Sequence, residues 1–248
     1  MQLVRFPVQA AAAFALSAFL LPVTAPLVRA ADAFNARLET ALNGVDAGAI
    51  DALVDPATLP GLSARLARFK KEFPDASWTV RSVSSDGSGR QILEVTVRGE
   101  RRSDGLRYRL VGSQRLAVRL EADRLLAEEL LAEQTLLRSG ETSLPITLAI
   151  PDAVLTGSRY DVDVIVEEPL GQAIVAGGLL SLTPAQVEQQ ISPNLSLEPL
   201  GGGGLFKMVQ APQRPGVQNW AAMLVHPDGV VTITKRVRVV SDRRELAR

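Results

Sequence analysis

Residues 107–121 restrict the fold of this 248-residue chain more than any other stretch. Tyr108, Leu110, Gly112, Gln114, Leu116, Val118 and Leu120 occupy one set of alternate positions, and Arg107, Arg109, Arg115 and Arg119 fall on the other. A period of two held that long describes a strand with one buried and one wet face, which is only stable beside partners. Upstream, Leu93, Val95 and Val97 alternate with Glu94, Thr96 and Arg98, and "RSDG" supplies a turn between the two runs. Gly112 is expected to mark a bulge or bend.

The segment that follows, "LEADRLLAEELLAEQTLLRSG", is rich in helix formers. Wound as a helix, it places Leu125, Leu126, Leu130, Leu136 and Leu137 in one arc, but Glu129 and Glu133 enter that arc and Leu131 leaves it. Extended, with Ala122-Asp123-Arg124 as the turn, it sets Leu120 against Leu126, Leu116 against Leu130 and Leu110 against Leu136, and Glu129 between Arg115 and Arg119. The hairpin is the better fit, against local propensity.

The first thirty residues have the layout of an export signal: Arg5, an apolar run over residues 8–28, and Val28-Arg29-Ala30 as the cleavage site. Residues 1–30 are therefore read as a signal peptide, and the product as periplasmic or extracellular, or lumenal in a host with thylakoids. An uncleaved anchor is the alternative, since the run has the ~20 residues of a spanning helix. No later stretch is apolar enough to span a bilayer. Without Arg5 and Arg29 the chain has 25 basic and 27 acidic residues, and it has no cysteine. Stability must then come from packing rather than disulfides, and nucleic acid, which needs concentrated positive charge, is not an expected partner.

Helices precede the strands. Phe34, Leu38, Ala41 and Leu42 share one face of a first helix that Asp32 can cap and Asn43-Gly44 ends; "VDAGAIDALVDP" gives a short second one. Pro60 opens a third, with Leu62, Leu66, Phe69 and Phe73 as its stripe and Pro74 as its stop. Helices ahead of a curved antiparallel sheet, with "ALNGVDAGAIDALVDP" between, resemble the nuclear transport factor two-like, or SnoaL-like, family. The likeness rests on Ala41-Leu42-Asn43-Gly44-Val45-Asp46 and covers residues 31–140. It implies an α+β cone-shaped domain, helices packed on a curved antiparallel sheet.

Beyond residue 140 the charge thins, from 16 basic and 16 acidic groups over 31–140 to 6 and 9 over 141–240, and strand signals take over. Six or seven strands with one short helix at Thr183-Pro184 predict an all-β sandwich over 141–240, resembling immunoglobulin-like domains in architecture but without their cysteine pair. Residues 241–248 are read as a polar tail.

Few reactive side chains stand out. His226, the only histidine, sits at a hairpin end, and the glycines at 201–204 lack the spacing of a phosphate loop. Asp161, Asp163 and Glu167 read as a solvated face, with Tyr160, Val162, Val164 and Val166 inside. No catalytic residue, metal ligand or cofactor is assigned. The hairpin's buried face would carry Tyr108, Gln114 and Glu128, so a pocket there would hold one acid with a pKa raised by desolvation. Arg107, Arg109, Arg115 and Arg119 are candidate partner-surface residues, with pairing to strand glutamates as the plainer account. The expected function is that of a noncatalytic envelope protein that contacts a protein partner through sandwich loops or a strand edge. The alternative is a protein that binds or processes a small apolar molecule in the N-terminal cone.

Overall fold

The leucine-rich segment is extended. Strand β3 (Leu106–Glu121) turns at Asp123, whose φ is +65°, into β4 (Arg124–Gly140). Aspartate tolerates that left-handed conformation better than most side chains. The computed structural model describes residues 25–247 apart from 56, 87, 104, 122, 141–143, 168–174, 190–192 and 228. Most of the expected signal segment thus lies outside the described residues.

Leu116 opposes Leu130 as expected, but Leu120 opposes Leu125 and Leu110 opposes Leu137. Two register shifts cause the difference, between Arg115 and Leu116 and between Arg119 and Leu120, leaving Leu131 and Leu126 as extra residues on β4. Each bulge moves the following side chains to the other face of the strand. Gly112 is not the bulge; a Cβ there would lie 2.9 Å from Val97 Cγ1, so the glycine makes room for that valine.

Helix α1 (Ala25–Asn43) begins before Asp32, which therefore lies inside it rather than capping it. A 3-10 turn over Ala47–Ala52, capped by the Asp46 carboxylate, and helix α2 (Leu62–Glu72) follow. Phe34, Ile50, Leu93 and Val118, none more than 0% exposed, fill the space between these helices and strands β1 (Ser77–Ser85), β2 (Gln91–Ser103) and β3. Between the helices and these strands the described residues form packed core.

The chain continues through β5 (Ile146–Ala149), β6 (Ala153–Leu155), β7 (Arg159–Val166), β8 (Ala176–Leu182), helix α3 (Pro184–Gln189), β9 (Glu198–Pro199), β10 (Gly204–Gln210), β11 (Gly216–His226) and β12 (Gly229–Val240). One sheet runs β1-β2-β3-β4-β12-β11-β8-β9, with β6 parallel to β12; a second runs β10-β7-β5. The second layer packs on the first through Val162, Val164, Tyr160, Trp220, Leu224, Ile233 and Val237. The residues expected inside β7, Tyr160, Val162, Val164 and Val166, are all buried.

The expected fold class, an α+β cone followed by an immunoglobulin-like sandwich, is corrected. The molecule is mostly β, its strand residues outnumbering its helical residues by more than two to one among the described residues. It is not a helix-packed cone: the helices cover one end of a sheet that runs on through β4 and β12, which are paired from Gly140↔Gly229 to Glu133↔Arg236. Sequence periodicity exposes each strand but not a partner a hundred residues away, and the long-range β4–β12 ladder was invisible for that reason.

Candidate functional site

Three surfaces carry chemistry. The first is a polar row on the helix-bearing face of the large sheet. Register aligns Gln114 of β3, Glu133 of β4, Arg236 of β12 and Asn219 of β11 in adjacent strands. Gln114 Nε2 donates to Glu133 Oε1 at 2.6 Å. Glu133 reaches this face only because Leu131 is bulged out; unbroken alternation from Glu128 would turn it away. Sequence reasoning found Gln114 and Glu128 but missed Glu133 and Arg236, since a bulge leaves no compositional trace here.

Glu128 opposes Val118 on the same face. Burial, foremost, pushes its carboxyl above the ordinary glutamate range; Arg65 and Arg236 pull it down and Glu133 adds to the rise. Burial likewise lowers Arg236, partly offset by Glu133 and Glu128. Beside this row a groove of about 480 Å³ opens between α3 and the sheet, lined by Glu133, Arg236, Leu182, Val187, Leu195 and Met223 among others. Tyr108 does not join it. Six residues from Gln114, or about 20 Å along the strand, its ring lies 5.0 Å from the Arg101 guanidinium, which also sits over Phe73 at 5.3 Å.

The second surface is the opposite face, where the alternate arginines of β3 project. Arg115 lies 3.6 Å from Asp152, which also binds Lys235. Glu129 opposes Ala117, between Arg115 and Arg119 as expected, but its ion pairs are with Arg90 at 2.8 Å and Arg238 at 3.4 Å. Arg119 is exposed. Arg107 opposes Arg102, and Arg109 stands between Glu100 and Arg138, donating from Nη2 to Gly140 O at 3.1 Å. The four arginines thus divide: Arg115 belongs to an ion-pair group, while Arg107 and Arg109 face other arginines.

The third surface is the edge of the small sheet. Val166 N donates to Gly203 O at 2.7 Å and Ala211 N to Ser158 O at 2.8 Å, bracketing an unshifted β10–β7 ladder. Because antiparallel bonds alternate, Leu205, Lys207 and Val209 bond to β7, while Phe206 and Met208 turn N–H and C=O outward. Among the described residues nothing takes those groups. Phe206 and Met208 are also 62% and 67% exposed, next to Asp163 and Asp161 in register. The edge of the large sheet is treated differently: Trp78 N donates to Asn43 Oδ1 at 2.8 Å and Val80 N to Glu39 Oε2 at 2.8 Å, so α1 side chains cover β1.

Fold and surfaces together define a two-layer, mostly β protein whose β1 edge is covered and whose β10 edge is open among the described residues. Residues 141–240, which contain the open edge, match the family described as Domain of unknown function (DUF8623). No curated protein matches the chain.

Proposed function

We propose that this is an exported, noncatalytic protein-interaction module whose β10 edge receives an extended segment of a partner protein. The observation that carries the reading is the pairing of outward backbone groups with exposed Phe206 and Met208 on one unprotected strand, while β1 is covered. Long open edges with apolar side chains are templates for strand addition. The neighbouring Asp161 and Asp163 suit a partner strand that alternates apolar and basic residues. Export is supported by the apolar run over residues 8–28 and its Val28-Arg29-Ala30 ending.

Met208→Pro tests it. Proline removes an N–H that the fold does not use, so stability should stay within about 0.5 kcal/mol. A photo-crosslinking residue at position 206 should capture an envelope partner, and that product should vanish in Met208→Pro. Lys207→Pro, which deletes a ladder bond, should instead destabilise by about 1 kcal/mol or more. Capture unchanged by Met208→Pro would refute strand addition. Light scattering distinguishes a second copy of the chain as the occupant.

The groove beside Glu133 and Arg236 favours a second reading, a small amphipathic ligand held between α3 and the sheet, since apolar walls with a few convergent polar groups are the usual form of such sites. Native mass spectrometry of the purified protein, showing a bound small molecule that is lost in Arg236→Met, would support it.

A further inference from the structure

Arg138 sits in β4 with Arg109 directly opposite on β3 and Val231 opposite on β12. Like charges facing each other across a ladder destabilise it. The Arg138 guanidinium is half-buried, and its Nε is shielded from solvent without an acceptor. Arg109 Nη2 donates to Gly140 O at 3.1 Å. Burial, with Arg109 adding to it, depresses the Arg138 pKa. Two residues along β3, Arg107 opposes Arg102, a second like-charge pair on the same face. Glu100, opposite Arg109, is the carboxylate that register places in this group among the described residues. A guanidinium whose shielded Nε lacks an acceptor calls for an explanation, and a missing anion is one.

We propose that Arg138 and Arg109, with Arg107 beside them, bind a phosphate group. The guanidinium fork matches the oxygen spacing of a tetrahedral phosphate, and Arg138 offers donors that the fold leaves unused. An oxyanion between Arg109 and Arg138 turns the like-charge pair into a favourable one and supplies the acceptor that Nε lacks. The phosphate belongs either to a small soluble molecule or to a lipid headgroup, and the two sources are separable. This site lies on the large sheet and is independent of the β10 edge.

The test measures the melting temperature of the purified protein in increasing inorganic phosphate, with chloride at matched ionic strength. Phosphate should raise it in proportion to the logarithm of concentration once past saturation, and chloride should not. Arg138→Met should melt at or above the parent temperature without phosphate, because a buried charge is gone, and should lose the phosphate increment. Arg138→Lys, which keeps the charge without the fork, should bind at least about tenfold more weakly. Arg119→Gln, on the same strand, should leave the increment intact. In parallel, sedimentation with vesicles of phosphatidylglycerol or of phosphatidylcholine reports the lipid source: Arg138-dependent binding to the first alone assigns a headgroup, and a phosphate increment without vesicle binding assigns a soluble ligand. Equal stabilisation by phosphate and chloride, with no Arg138-dependent vesicle binding, overturns the proposal, as does an increment that survives in both Arg138 variants.

Discussion

Arg238 is 5% exposed and spends its donors on the irregular parts of the chain. Its Nε donates to the carbonyl of bulged Leu131 at 2.9 Å, and its Nη2 to Glu245 O at 2.9 Å, which fixes the turn Arg243–Glu245 of the C-terminal segment. A bulge drops one carbonyl from the ladder, and a guanidinium, which carries only donors, can take it while also pairing with Glu129. Arg238→Met should therefore destabilise by about 2 kcal/mol, the range for hydrogen bonds to charged groups, read from the urea midpoint. Glu128 should behave in the opposite way. Its folded pKa lies above the unfolded value because burial disfavours the carboxylate, so the folded state binds its proton more tightly. Its contribution is most favourable below the unfolded value of about 4.3 and is lost as pH rises through the folded pKa. Glu128→Gln should thus melt higher than the parent at pH 7, with the gap closing as pH falls toward 4; a variant less stable at pH 7 would mean that the Arg65 and Arg236 fields outweigh desolvation.

At the level of elements, the hairpin was legible because strand alternation in β3 demanded a partner and the leucines of β4 fit an extended register better than a helical arc. The stripe of Leu62, Leu66 and Phe69 and the stop after Phe73 likewise placed α2. What could not be read was where alternation breaks. Leu131 is fully buried with Ile92 and Ala117 on one face, while Leu136 turns into the core between the two sheets and Leu137 joins Phe73, Val97 and Leu110 on the other. One inserted residue decides whether Glu133 meets Gln114 or solvent, and leucines on both sides of the bulge conceal it. Leu131→Ala should cost about 2–5 kcal/mol. The β4–β12 junction is as exacting. Gly229 has φ +158°, and a Cβ there would fall 2.0 Å from Ser139 O. Gly229→Ala must push β12 away from β4, at a cost on the order of 2 kcal/mol or more. Hydrogen exchange should show faster amides at Leu136 and Leu137 before those of β2 respond.

For the whole molecule, the consequence of one continuous sheet is cooperativity. Helices α1 and α2 with β1 to β3 form a core around Phe34 and Leu93, and the second layer forms another around Val162 and Val237, some distance along the same sheet. Between them, eight consecutive residue pairs join β4 to β12, and β4 contributes Leu125 to the first core and Leu136 to the core between the layers. Unfolding either half would therefore strip a face or an edge from the other, a penalty comparable to the marginal stability of a single domain. The two tryptophans report on the halves separately: Trp78 packs against Phe69 with ring centroids 5.4 Å apart, and Trp220, 4% exposed, donates from Nε1 to Tyr160 Oη at 3.0 Å. Trp78→Phe and Trp220→Phe each leave one probe. In urea, both single-tryptophan proteins, corrected for the stability change of each substitution, should give transitions that coincide with each other and with circular dichroism. Two resolved transitions, with Trp220 persisting after Trp78 has lost its native signal, would show instead that the β4–β12 ladder is too weak to couple the halves, and that the segment over residues 141–240 stands by itself.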